Sequence, residues 1–217
     1  MLMVLSSVRG GVGTSVVSAA IAVLAARDQS RPTYLVDLTG DQTDIFGLAQ
    51  ADIGLDDWTT RADRRLTDLA VDIDPQLRLV PSRTALDSTE SLDGLVTALE
   101  QRRHDAHVVI DAGRLDLSDS FRELRPTHLL VIRPCYLALR ATVSSSRNWD
   151  GLVVVRPPDR VLTTRDVVNV TGLPAIAEVD MSADVARAVD AGVFGSRLPG
   201  GLERSLRPAI ERRLIET

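Results

Sequence analysis

Apolar residues occur along this chain in two recurring forms. Short runs bounded by Gly, Pro or Asp predict buried strands near residues 2–8, 33–37, 77–80, 106–111, 127–133, 151–155 and 174–179. Between them, apolar positions recur at helical spacing. Val16, Val17, Ala20, Ile21 and Leu24 mark a first helix, and Leu55, Trp58, Ala62, Leu66 and Leu69 fit one stripe with Arg61, Arg64 and Arg65 on its polar side. Leu92, Leu95, Val96 and Leu99 mark a helix over 91–103, and further helices are expected over 137–145, 163–170 and 182–191, the last capped by Ser182 and stopped by Gly192. This rhythm of β then α predicts an α/β fold: a doubly wound, mainly parallel sheet with helices on both faces, over residues 1–200. Residues 201–217 form an amphipathic tail with Leu202, Leu206, Ile210 and Leu214 every four residues, and Pro208 is expected in the first turn of its helix.

The turn after the first strand, Arg9-Gly10-Gly11-Val12-Gly13-Thr14-Ser15, has the shape of a phosphate cradle. Its glycines let backbone N–H groups converge without Cβ clashes, and the following helix adds the positive end of its dipole. A plain glycine-rich βα turn that holds no nucleotide is the alternative. Two later runs, Thr33 to Asp37 and Ala106 to Asp111, are apolar strands that end in a carboxylate. In a parallel sheet both ends open onto one crevice, so Asp37 and Asp111 are expected beside the glycine turn.

Composition narrows the function classes. A net charge of −5 in 217 residues disfavours a general nucleic-acid binder, although a local arginine patch stays open. The chain contains no lysine, so all 25 of its basic side chains are arginines. Cys135 is the single cysteine, which rules out an internal disulfide and favours a core or filler role over a reactive one. With no apolar span near twenty residues and no charged leader, a cytoplasmic location is expected. His104 and His107 have no third ligand candidate nearby and are expected at the surface rather than in a metal site.

From Val4 to about Gly192 the chain resembles the ParA/MinD family of P-loop ATPases, whose deviant Walker A loop reads Lys-Gly-Gly-x-Gly-Lys-Ser/Thr. Both lysines are absent. Arg9 stands for the signature lysine, Thr14 for the lysine that holds the β- and γ-phosphates, and Ser15 keeps the hydroxyl that faces Mg²⁺. Ala106 to Gly113 resembles a Walker B strand. The family's Asp-x-Asp after the second strand is here Asp37-Leu38-Thr39, and Asp41 replaces the lost carboxylate only if its loop shifts; a solvated Gly-Asp turn is the alternative.

The resemblance therefore implies ATP and Mg²⁺ as weak cofactors. It assigns nucleotide contacts to Arg9, Gly10, Gly11, Val12, Gly13, Thr14 and Ser15, metal contacts to Ser15, Asp37 and Asp111, and catalysis at most to Asp37 and Asp41. Arg156 stands where relatives carry an Asn that reads the adenine, and its guanidinium is suited to stacking on a base. No iron–sulfur cluster is expected from a lone cysteine, and Tyr34 and Tyr136 make no tyrosine cluster of the kinase relatives' kind.

The pattern of losses is similar to the TadZ/CpaE-like localisation proteins of Tad pilus systems. It implies a positioning or scaffold protein with a degenerate nucleotide site, a homodimer, and a protein partner in a localised machine. An active ATPase that uses Arg9 is the alternative, and a small-molecule ligase a third. MinD relatives end in a membrane-binding amphipathic helix. Here arginines are opposed by Glu203, Glu211 and Glu216 without an aromatic anchor, so the tail is expected to dock on the domain or a partner rather than on membrane.

Overall fold

The computed structural model describes residues 1–28, 30–50, 52–58, 66–89, 92–102 and 104–214. Its elements are β1 (Leu2–Ser6), α1 (Thr14–Arg27), β2 (Thr33–Asp37), α2 (Gln42–Ile45), α3 (Leu55–Trp58), α4 (Leu66–Leu69), β3 (Val71–Asp74) and β4 (Leu77–Val80). Then come α5 (Asp93–Arg102), β5 (His107–Gly113), α6 (Asp119–Glu123), β6 (Thr127–Ile132), α7 (Tyr136–Val143), β7 (Gly151–Arg156), α8 (Thr164–Thr171), β8 (Ala175–Asp180), α9 (Ala183–Asp190) and α10 (Gly200–Leu214).

The strands form one sheet in the order β3-β4-β2-β5-β1-β6-β7-β8, parallel except for β3. The α/β, mainly parallel architecture is as expected. β1 lies between β5 and β6, with β2 on one side and β7 on the other, so the carboxyl end of β1 is the place where a ligand crevice forms in such sheets. Period-two alternation sends each strand's side chains to opposite layers. Leu5, Leu35, Val109 and Val131 pack with α1 and α10, while Val4, Val36, Val108 and Ile110 join the buried residues of α3 to α6. Leu130, Ile132, Leu152 and Val154 pack with α7 and α8.

Of the stripe from Leu55 to Leu69, the described parts Leu55–Trp58 and Leu66–Leu69 are helical with their apolar residues buried; Arg61, Ala62, Arg64 and Arg65 lie outside the described residues. Three details depart from the sequence reading. Strand β3 is an extra antiparallel edge strand, returned by the Asp74-Pro75 turn in which Asp74 Oδ1 accepts from the backbone of Gln76 and Leu77. His107 is buried, not at the surface. It starts β5 beneath the chain's first residue, with Nδ1 3.4 Å from the Met1 amino nitrogen. Helix α1 is apolar all round rather than on one stripe, because the sheet covers one side and α10 another.

Pro208 sits in the interior of α10, not in its first turn. Leu202 and Leu206 before it, and Ala209 and Ile210 after it, are all buried, so packing on both sides holds the helix together across the missing N–H bond. Ser182 caps α9 as expected, its Oγ accepting from Val185 N, with Gly192 at φ 63° beyond its end. Cys135 plays the same part for α7, accepting from Ala138 N at 3.4 Å.

Beside β1, a buried polar chain joins three elements. Trp149 Nε1 donates to Ser6 Oγ at 3.0 Å, and Ser6 Oγ is hydrogen-bonded to His128 Nε2 at 2.7 Å. Burial pushes His128 down to about 4.

Two measurements test these packing claims. Pro208 is exposed, so Pro208→Ala removes no core contact and restores a helical hydrogen bond; a gain of about 1–3 kcal/mol in urea unfolding is expected. An unchanged or lower stability would mean the packing requires the proline's bend. For His128 the folded pKa lies below the ordinary value near 6.5, so the unfolded chain binds the extra proton. Its contribution is full above about pH 6.5 and is lost as pH falls toward about 4, amounting to roughly 2–3 kcal/mol. His128→Gln, which keeps a hydrogen-bond partner for Ser6, should flatten that slope; an identical slope in the variant refutes the assignment.

Candidate functional site

At the carboxyl end of β1 the chain enters the glycine turn. Gly11 and Gly13 have φ of 72° and 97°, the left-handed region that other residues avoid, and a Cβ on either would project into open space. The turn therefore leaves its backbone unobstructed, and α1 begins at Thr14 with its N-terminus behind it. Together with the loops after β2, β4, β5 and β6 it lines a cleft of about 1200 Å³.

Asp37 and Asp111 stand directly opposite each other on paired strands, both fully buried beneath this cleft. Asp37 Oδ1 accepts from Thr39 N at 2.8 Å, Thr39 Oγ1 at 2.8 Å and Gly40 N at 2.9 Å, and Oδ2 accepts from Gln42 N at 3.0 Å. Asp111 receives fewer donors: Gln42 Nε2 at 2.7 Å and Gly113 N at 3.2 Å. Burial above all, and then the charge of Asp37, pushes Asp111 up to about 7. Burial also raises Asp37, against the pull of its four donors. Thr39 Oγ1 lies 3.2 Å from Asp111 Oδ2 but has one proton, already directed to Asp37.

Gln42 is the residue that sequence reasoning overlooked. Fully buried, its amide nitrogen donates both to Ser15 O of the glycine-turn helix and to Asp111, while its Oε1 has no partner. A polar side chain one position past a candidate carboxylate carries no sequence signal of its own. Gly113, the end of the Walker B-like run, has φ 52°, and a Cβ there would come within 2.5 Å of Thr39 Cγ2.

The expected site residues fall into three groups. Gly10, Gly11, Gly13, Thr14 and Ser15 line the cleft, with Val12 buried behind them. Asp41 lines it too, accepting from Ser15 Oγ at 3.1 Å without further movement of its loop, while Asp37 and Asp111 lie below. Arg9 is exposed at the rim, has no side-chain partner among the described residues and does not line the cleft. Arg156 is not brought to the cleft at all. It lines a separate depression beside Pro157 and Thr163, paired with Asp180 at 2.6 Å and Glu178 at 3.2 Å.

The cleft's arginines were not foreseen. Arg114, Arg133 and Arg147 line it, against four exposed carboxylates, Asp41, Asp44, Asp87 and Asp190. Arg147 is a strut: it donates to Ser7 O at 3.3 Å and Arg114 O at 2.7 Å and lies 3.5 Å from Asp116. Position 14 offers only a buried threonine.

These features fit a phosphate-bearing ligand with a hard cation. The turn is open, the available donors near it are oxygens of Ser15 and Asp41, and Gln42 Oε1 and Arg133 Nε are buried polar atoms without partners. Asp37, with its oxygens already engaged, is the least available metal ligand of the set.

No protein-family model and no curated protein matches the sequence. Solved structures do match, over nearly the whole chain. MinD in the MinC:MinD cell division complex of Aquifex aeolicus gives a TM-score of 0.75 at 17% identity, covering 99% of this chain and 96% of that one. A ParA family ATPase from Chlorobium tepidum gives 0.70 at 17% identity, covering 99% of both chains. The septum site-determining protein MinD from Pyrococcus horikoshii, solved with Mg-ADP, gives 0.73 at 16% identity, covering 98% and 96%. The chain has the fold of the MinD and ParA P-loop ATPases along its whole length.

Proposed function

We propose that this chain is a positioning or scaffold protein of the ParA/MinD type whose nucleotide site binds phosphate weakly and turns it over very slowly. The observation that carries this reading is the state of position 14 and of the loop after β2. Thr14 brings no cation to the phosphates. Thr39, at the position of the family's second Asp, has its hydroxyl committed between Asp37 and Asp111, and so is not available to orient a water.

The glycine-turn backbone and the α1 dipole need no lysine, so they support residual phosphate affinity. Ser15 and Asp41 would hold Mg²⁺ at the cleft wall, with Asp111 behind them. When bound, that ion supplies charge neutralisation at the phosphate oxygens. Hydrolysis asks for more than binding. A positioned cation at the transferred phosphate is worth about 10³–10⁵ in rate where an arginine supplies it, and the four carboxylates around this cleft oppose the same charge.

The finer reading, localisation of a Tad-type pilus or secretion machine by a homodimer with a protein partner, rests on the sequence pattern of lost lysines and lost second Asp. One structural neighbour is MinD solved with MinC, which is an example of a partner protein on this fold. An active ATPase is the second reading, favoured by one observation: Arg9 is exposed and free, as a residue that reaches into a facing subunit must be.

The two readings separate by phosphate release from purified protein with Mg²⁺ and ATP. Turnover at or below about 10⁻³ per second is expected, unchanged by Arg9→Ala, with tighter ATP binding in Thr14→Lys. Robust turnover abolished by Arg9→Ala would establish the active ATPase instead. Sedimentation with and without ATP tests the dimer, which a strict monomer at high concentration would refute.

A further inference from the structure

We propose that Arg133 is the residue through which this cleft grips a polyphosphate anion, in place of the cation missing from the glycine turn. The inference rests on the reading of the cleft as a phosphate site. Arg133 follows β6, which runs beside β1 with Leu130 opposite Ser6, so it leaves the sheet next to the glycine turn. It lines the same cleft as Gly10, Gly13 and Ser15.

Its guanidinium is uncommitted. Nε is buried without a partner, and Arg133 makes no ion pair or hydrogen bond among the described residues. A buried donor left without an acceptor is costly, and native structures rarely keep one without a reason. The neighbouring Arg147 makes the contrast plain, since its nitrogens are spent on the backbone of Ser7 and Arg114. Arg114 is also free but stands exposed at the mouth, over Gly10.

A guanidinium suits the vacant role chemically. It cannot lose its charge, its planar fork matches two phosphate oxygens at once, and in this lysine-free chain it is the only long cation available. Oxygens of the ligand would then be held by the fork together with the glycine-turn N–H groups. The ligand class is a di- or triphosphate, either as a nucleotide or as free pyrophosphate.

Calorimetric titration of the full chain with ATP, ADP and inorganic pyrophosphate tests the assignment. Arg133→Gln should weaken all three by roughly ten- to a hundredfold, while the melting temperature without ligand stays the same or rises. Arg133→Lys keeps the charge without the fork and should recover part of the loss, which also covers the case in which the glutamine variant does not fold. Arg147→Gln should instead lower the melting temperature without ligand, as a strut requires. Equal affinity in wild type and Arg133→Gln, weakening for ATP but not pyrophosphate, or no binding of any of the three to wild type at millimolar concentration would each overturn the proposal. Fast ATP turnover in both wild type and Arg133→Gln overturns the low-turnover reading but not the phosphate grip, so the two fail separately.

Discussion

Two carboxyl groups buried side by side, Asp37 and Asp111, set the terms for everything at this end of the sheet. Neither can be left without donors in a place closed to water, and two charges so close repel strongly. The fold meets this by folding residues 37–42 back as a tight loop that gives four donors to Asp37, and by holding Asp111 protonated over much of the pH range. Gln42 then ties the pair to the first turn of α1 through Ser15 O. The position of the glycine turn relative to the sheet is therefore a consequence of satisfying these carboxyls. The same solution commits the Thr39 hydroxyl to the carboxyl pair.

The fold was largely legible because parallel strands buried on both faces are continuous apolar runs, and those runs end in Gly, Pro or Asp. The convergence of Asp37 and Asp111 followed from topology alone. The failures have particular causes. Strand β3 is a short polar edge strand, Val-Asp-Ile-Asp, with one face in solvent, and nothing in its composition separates it from a loop. Pro208 was placed at a helix start by local preference, yet buried residues on both sides hold the helix through it. Gln42, Arg114, Arg133 and Arg147 were invisible for a different reason: the three arginines meet at the cleft from separate loops and Gln42 sits buried beside Asp111, and no spacing along the chain records that. Arg156 was carried over by position in a strand-end motif, whereas the nearby Glu178 and Asp180 decide where its guanidinium goes.

Arginine bears every positive charge in this protein, and that shapes the cleft. A lysine in the glycine turn reaches phosphate as a flexible point charge from within the loop itself. Position 14 carries a threonine, and the cations that line this cleft, Arg114, Arg133 and Arg147, come from neighbouring loops. Arg147 and Arg133 show the two uses: one braces the ends of β1 and β5, the other is left open toward the cleft. If the cleft holds phosphate as proposed, a site assembled this way attracts the anion while lacking a cation aligned with the bond to be broken, which would give binding without fast turnover.

The C-terminal helix completes the same logic on the far side of α1. Because α1 is apolar all round, the sheet alone cannot cover it, and Leu202, Leu206 and Ile210 of α10 close the remaining face. Arg27 pairs with Glu203 at 2.7 Å and registers the two helices. At about 1.5–3 kcal/mol for each large apolar side chain, burying three of them is worth on the order of 5–9 kcal/mol. A whole domain of this kind has only about 5–15 kcal/mol of net stability. Releasing α10 to lie on a membrane or a partner would expose both its own stripe and the helix that carries the glycine turn. In this fold the described tail is part of the core that holds the phosphate cradle in place, and its apolar face is already in use.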